Sequence, residues 1–216
     1  LVAACAAAGT DYVDLCGEPA WMRQMIDAHD AEARRTGARI VFSCGFDSIP
    51  FELGAFFVEE IAKARLGAPV PRVKGRVRRM KGGFSGGTAA SLQATMAAAA
   101  KDPSIIAYLT DPFSLANGFK GPAQPPGDKA EHDPDLDALV GPFVMAMINT
   151  KNVHRANALL DHAWGQDFVY DEMVVIDPNA PPVGSLGGPN MPKPGEGPSK
   201  EERETGFFDV AFIGIA

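Results

Sequence analysis

The apolar run 39–42 leads directly into Ser43-Cys44-Gly45-Phe46-Asp47-Ser48-Ile49-Pro50, and this junction constrains the fold more than any other stretch. A short β-type run followed by a helix-opening signal is a strand-to-helix crossing, where open α/β sheets place their ligands. Gly45 allows a sharp turn, Asp47 or Ser48 can cap the helix, and Pro50 suits its first turn. Free N–H groups of that turn would then face the crevice, ready for an anion or a polarised oxygen. The same residues would equally make a βα loop that binds nothing.

The first third alternates in the same manner. Residues 1–8 read as a helix stopped by Gly9, and 12–15 as a strand. The segment 21–36 is amphipathic, with Met22, Met25, Ile26, His29 and Ala33 near one face, and Gly37 ends it. Strand 38–43 and helix 51–64 follow, so residues 1–66 read as the tail of a parallel α/β unit. The pattern then changes. In 71–81, Arg72, Lys74, Arg76 and Arg78 point one way and Val73, Gly75 and Val77 the other. That alternation predicts a half-exposed antiparallel strand with a solvated basic face, phosphate binding being the alternative. Helices are expected at 89–101, 103–109 and 143–163, with 111–137 a connection and 168–176 a strand. A Pro/Gly loop covers 177–198, a capping box (Ser199, Glu202) opens a short helix, and 207–216 reads as a strand. A chain that opens inside a helix and closes on an unflanked strand reads as a piece of a longer protein.

Charge and composition narrow the function. A net charge of −7 over 216 residues argues against a nucleic-acid partner, which needs a basic footprint. The apolar stretch 138–148 falls well short of the roughly 18 residues of a membrane span. Cys5, Cys16 and Cys44 lack C-x-x-C spacing and read as reduced, intracellular thiols, and His29, His132, His154 and His162 form no metal-ligand pattern with them. No metal site is expected.

Several constellations could carry chemistry. Gly83-Phe84-Ser85-Gly86-Gly87 matches a nucleophile elbow, which would make Ser85 a hydrolase nucleophile. The strand before it is studded with Arg and Lys instead of apolar residues, and the loop equally suits anion or substrate contact at a helix start. Cys44 beside a helix N-terminus could be an activated thiol, although buried structural cysteine is the better reading. On helix 143–163, Thr150, His154 and Asn157 share a face beside the stripe of Lys151 and Arg155. That face reads as solvated, with His154 the best-placed proton donor if it lines a cleft. Asp14, Gly17 and Glu18 end strand 12–15 at the same sheet edge as Cys44–Pro50, although Glu18 could simply cap the next helix. His132 and His162 look superficial, and Glu201, Glu202 and Glu204 look solvated. The sequence contains no G-x-G-x-x-G and no Walker loop.

Together, Gly9-Thr-Asp-Tyr-Val-Asp-Leu-Cys-Gly-Glu18 and Gly37-Ala-Arg-Ile-Val-Phe-Ser-Cys-Gly-Phe-Asp-Ser-Ile-Pro50 resemble the saccharopine dehydrogenase-like oxidoreductases, above all their trans-acting enoyl reductase branch. Ser85-Gly-Gly-Thr88, Pro142-Phe-Val-Met-Ala-Met-Ile-Asn-Thr150 and Asp167-Phe-Val-Tyr-Asp-Glu172 are similar to that branch as well. The resemblance implies an α/β fold. Residues 1–66 would be the C-terminal part of a Rossmann-like parallel sheet, and 67–216 a mixed α+β substrate domain. It implies NADP or NAD as cofactor, with the glycine fingerprint upstream of Leu1. Gly17, Glu18, Cys44, Gly45 and Phe46 would border the nicotinamide. Ser85, Gly86, Gly87, Thr88, Asn149, Thr150 and Arg155 would lie on the substrate side. In enoyl reduction hydride reaches the β-carbon, an electrophile steadies the enolate and an acid protonates it. Helix-start N–H groups near Phe46, Asp47 and Ser48 would take the enolate, and His154 or Tyr12 would be the acid. The implied partner is a small molecule or a lipid chain in a cytoplasmic, membrane-associated setting, and the resemblance leaves room for a homodimer. Two other classes compete: a serine hydrolase using Ser85, and a non-catalytic lipid-binding or scaffold protein.

Overall fold

Three glycines punctuate the first third of the chain. Helices α1 (Val2–Ala8), α2 (Pro19–Thr36) and α3 (Ile49–Leu66) end at Gly9, Gly37 and Gly67, with φ of 67°, 81° and 80°. Glycine takes this left-handed conformation without steric cost, so each helix stops where a side chain would have been strained. Strands β1 (Tyr12–Val13) and β2 (Ile40–Val41) lie between these helices and pair in parallel, Tyr12 opposite Ile40 and Val13 opposite Val41. Ala6, Ala33 and Ala38 pack α1 and α2 against β2, while Met22 and Ile26 of α2 meet Leu115. This computed structural model describes residues 1–83, 85–177 and 192–216, so Phe84 and most of the expected Pro/Gly loop 177–198 lie outside the described residues.

The remaining strands form a second, mixed sheet, which makes the fold α/β. They are β3 (Arg72–Lys81), β4 (Glu131–Asp133), β5 (Ala138–Pro142), β6 (Val169–Val175) and β7 (Phe207–Ile215), in the order β4-β5-β6-β3-β7. β3 pairs in parallel with β6 and antiparallel with β7. Val73, Gly75 and Val77 face α3 and α6 (Ala146–Leu159). Ala55, Val153, Trp164, Phe168 and Tyr170 fill one part of that interface, and Phe51, Val77 and Phe143 the other. Gly54 lets α3 approach closely, because a Cβ there would run into the Phe212 ring. Helices α4 (Gly86–Lys101), α5 (Ser104–Thr110) and α7 (Lys200–Thr205) complete the elements, α7 opening with the expected capping box.

The opposite face of β3 differs from expectation. Lys74 and Arg76 are buried, not solvated, because β3 has a strand on each side and the segment 131–135 folds over it. Asp133 reaches Arg76 Nε at 2.7 Å and Lys74 Nζ at 3.1 Å, Asp135 meets Lys74 at 2.6 Å, and Asp171 pairs with Arg76 at 2.6 Å and Arg72 at 2.8 Å. The hairpin β4–β5, expected as connection and as part of the apolar run 138–148, exists through these long-range pairs, which local periodicity does not report. Helix 143–163 contracts to α6 because Phe143 enters the Phe51 cluster and Asp161 and His162 take positive φ of 55° and 56°. Among the described residues no helix is long and apolar enough to cross a membrane, and no group of His, Cys, Asp or Glu could hold a metal ion. Cys5, Cys16 and Cys44 are free thiols.

Burial would raise the Asp133 pKa, but hydrogen bonds from Arg76, the Asp135 amide and Lys74 outweigh it and hold the carboxyl down at about 2. An unfolded Asp titrates near 3.9, so this stabilisation is complete above about pH 4 and is lost as pH falls through about 2. Asp133→Ala takes one of two carboxylate partners from each of two buried cations and should cost about 3–5 kcal/mol in urea unfolding at pH 7.

Candidate functional site

β1 ends at Asp14, which ties the first two βα loops together. Its Oδ1 accepts hydrogen bonds from the Cys16 amide (2.9 Å) and the Ser43 amide (3.2 Å), and its Oδ2 accepts from the Tyr12 hydroxyl (2.9 Å). The Asp14 carbonyl accepts from the Cys44 amide at 2.7 Å, and Ser43 Oγ donates to the Cys16 carbonyl at 2.6 Å. Ser43 holds φ of 58°, unusual for a residue with a Cβ, and these bonds hold it there. The chain then turns at Gly45, whose carbonyl accepts from the Ser48 (3.1 Å) and Ile49 (2.9 Å) amides and starts α3. Contrary to expectation, neither Asp47 nor Ser48 caps α3 with its side chain; Ser48 occupies the cap position and makes no such bond, because its backbone is bent away from the extended capping conformation. The Ser48 N–H is thereby engaged. The Phe46 and Asp47 amides have no acceptor among the described residues. Beside them the Phe46 ring is 73% exposed and meets Phe208 edge-on.

A third element closes on this edge. Gly17 lies against Ile148 of α6. Asn149, one residue on, donates from Nδ2 to the Asp47 carbonyl and to Glu172 Oε2, both at 3.0 Å. Glu172 Oε1 accepts from the Tyr170 hydroxyl at 2.8 Å, and burial pushes the Glu172 pKa up to about 8. Glu18 Oε2 accepts from the Gly17 amide and the Cys16 thiol at 3.0 Å. Against the desolvation that would raise it, these contacts and the Ser91 hydroxyl of α4 hold the Glu18 carboxyl below its ordinary range. Burial raises Tyr12 to about 12, helped by its bond to Asp14, so the phenol keeps its proton at neutral pH. Burial also raises the Cys44 thiol, which is the opposite of an activated nucleophile.

The structure therefore brings together Tyr12, Gly17, Glu18, Cys44, Gly45, Phe46, Asp47 and Asn149. The other candidates lie apart from this cluster. His154 is buried between Phe113 (4.5 Å) and Phe168 (6.0 Å), its Nε2 without a partner among the described residues, so its face of α6 is not solvated. The segment 109–119 covers that helix. Lys151 Nζ donates to the Leu109 carbonyl and Arg155 to that of Leu115, and burial lowers Lys151 to about 8. Thr150 Oγ1 turns back onto the Ala146 carbonyl. Ser85 is the N-cap of α4, its hydroxyl engaged with Thr88, and no histidine bonds it among the described residues, so the hydrolase constellation is not assembled. Gly86 is pressed against the Lys193 carbonyl and its amide donates to that of Glu196 at 2.9 Å. Gly87 and Thr88 extend the first turn of α4, which reaches the cluster through the Ser91 hydroxyl on Glu18. A separate cavity of about 600 Å³, lined by Arg23, Tyr108, Phe119 and Lys120 among others, includes none of the candidate residues.

Sequence reasoning named Asp14 as a strand end at the shared sheet edge and met Ser43 and Glu172 within longer stretches without giving either side chain a role. The available signal was the pair Asp171-Glu172 inside the apolar run 169–175, where one charge must point to each face of a buried strand.

These features define an α/β protein whose candidate site lies where two parallel strands end. Over 97% of its length the chain is 38% identical to a Mycobacterium tuberculosis protein provisionally named a trans-acting enoyl reductase. Over 96% it is 34% identical to the trans-acting enoyl reductases of Mycobacterium ulcerans and Mycobacterium bovis. The chain spans 58% of the length of each of these relatives. No family model matches the chain, and no solved structure matches it.

Burial, with the Lys151 charge beside it, lowers His154 to about pKa 4. The unfolded chain binds this proton first, near pH 6.5, so stability falls as pH drops from about 6.5 towards 4, by about 3 kcal/mol in total. The His154 ring resonances should stay unchanged from pH 8 to 5 by NMR.

Proposed function

We propose that the protein is an NAD(P)H-dependent oxidoreductase, similar to the saccharopine dehydrogenase-like enzymes, that reduces the carbon–carbon double bond of an enoyl group on a polyketide-derived lipid chain. The names of its relatives support the reaction class. The observation that carries the site is the pair of unengaged amides, Phe46 and Asp47, at the meeting of two βα loops. In this reading residues 1–66 are the C-terminal part of a dinucleotide-binding domain and 67–216 the substrate domain.

The residues present fit the nicotinamide end of such a cofactor. Gly17 and Gly45 keep the two loops low, Phe46 offers an exposed aromatic face, and Glu18 and Cys44 border the crevice. The sequence contains no G-x-G-x-x-G fingerprint for the pyrophosphate. When bound, a reduced nicotinamide supplies hydride. This chain's residues do the rest. The Phe46 and Asp47 amides donate to the oxygen on which negative charge develops, at the positive end of the 18-residue helix α3. Of the two candidate acids, Tyr12 holds its proton beside the loops, with Asp14 accepting from its hydroxyl. His154, neutral and enclosed by phenylalanine rings, does not serve. Phe46, Phe208 and Met80 offer an apolar rim for the chain of the substrate.

The test is NADPH oxidation by the full-length protein in the presence of an α,β-unsaturated acyl thioester. A Cβ at Gly45 would lie 2.5 Å from Asp47 Oδ1, so Gly45→Val should lower kcat/KM by about tenfold or more while the protein stays folded. Tyr12→Phe should lower kcat with little change in KM. Absence of NADPH binding, or unchanged turnover in Gly45→Val, overturns the reading.

A further inference from the structure

Glu172 is a fully buried carboxyl with no cation in hydrogen-bonding contact among the described residues. An apolar side chain would be buried there at lower cost, so a carboxyl at this place calls for a geometric reason. Its setting supplies one. Glu172 lies on β6 opposite Gly75 of β3, and Gly75 leaves room for it: a Cβ at that position would come within 3.1 Å of Glu172 Cγ and 3.0 Å of the Tyr170 hydroxyl. The two carboxyl oxygens are used in different directions. Oε1 takes the Tyr170 hydroxyl, which fixes the rotamer, and Oε2 takes Asn149 Nδ2. The same Nδ2 reaches the Asp47 carbonyl, so both of its hydrogens are committed.

We propose that Glu172 is a positioning residue for the loop 45–48, holding Asn149 so that it pins the Asp47 carbonyl to the rigid β3–β6 pair. The peptide joining Asp47 to Ser48 is then held at both ends, its carbonyl by Asn149 and its N–H by the Gly45 carbonyl. With that plane fixed, the neighbouring Phe46 and Asp47 amides keep one direction instead of swinging with a mobile turn. The functional part of this inference rests on the reading of loop 45–48 as the reacting centre. The strut itself does not.

The experiment is amide hydrogen exchange on wild type, Asn149→Leu and Glu172→Gln, with steady-state kinetics alongside. In Asn149→Leu, exchange at Ser48 and Ile49 should rise by about tenfold or more, while the amides of 73–77 in the β3–β6 ladder keep wild-type protection. Above about pH 8, where the Glu172 carboxyl is ionised and both of its oxygens accept, glutamine has one acceptor oxygen for the two donors, so Glu172→Gln measured there should give a smaller rise at the same amides, and it decides the matter if Asn149→Leu does not fold. Where turnover is measurable, kcat should fall with KM within about twofold. Unchanged exchange at Ser48 and Ile49, or protection lost equally along 73–77, overturns the proposal and leaves Glu172 a structural residue. Looser exchange in a protein that never oxidises NADPH would keep the strut and remove only the reductase reading.

Discussion

A fully buried guanidinium at the centre of the five-stranded sheet sets the terms for the second half of the molecule. Arg76 has no access to water, so its charge must be met from within. Asp171 on β6 meets it from beside, and Asp133 on β4 meets it from the far end of the sheet. The three-residue strand β4 has little to hold it otherwise. By drawing Asp133 and Asp135 over β3, the Arg76–Lys74 pair closes the β4–β5 hairpin and covers the basic face of a strand that β6 and β7 already flank.

The other face of the same strand serves the site. Gly75 lies between Val73 and Val77, and its missing side chain gives space to Tyr170 and Glu172 just below α3 and α6. The polar cluster therefore grows from within an apolar interface formed by Phe51, Ala55 and Val153. Asp14 braces the two loops from the β1 side and Asn149 from the α6 side. The loop that carries the unengaged amides is held by two independent sets of bonds, the preorganisation that the proposed electrophilic role would require.

Much of this was legible in the residues. Glycines at 9, 37 and 67 marked the helix ends because no other residue takes that conformation so cheaply. The turn at Gly45 and the convergence of 14–18 with 44–50 followed from the βα pattern, since consecutive parallel strands bring their following loops to one edge. The capping box at Ser199 was equally local and equally visible. What escaped were features set by partners distant in sequence. The alternation in 71–81 was read correctly as two faces, but a period of two cannot say whether the basic face meets water or aspartates some 60 to 100 residues away. His154 was placed on the helix now α6, on a face read as solvated. The segment 109–119, whose path has no periodic signal, decided that this face is closed.

By itself, the sequence determined the βα order, the helix ends, the sharp turn at Gly45 and the set of residues at one strand edge, because each depends on backbone preferences of a few neighbouring residues. The tertiary structure alone decided which charges are buried, that His154 is neutral and enclosed, that Ser85 is a helix cap and that Glu172 reaches the Asp47 carbonyl through Asn149. Those outcomes depend on desolvation and on partners from other elements, and neither exists until the chain has closed on itself.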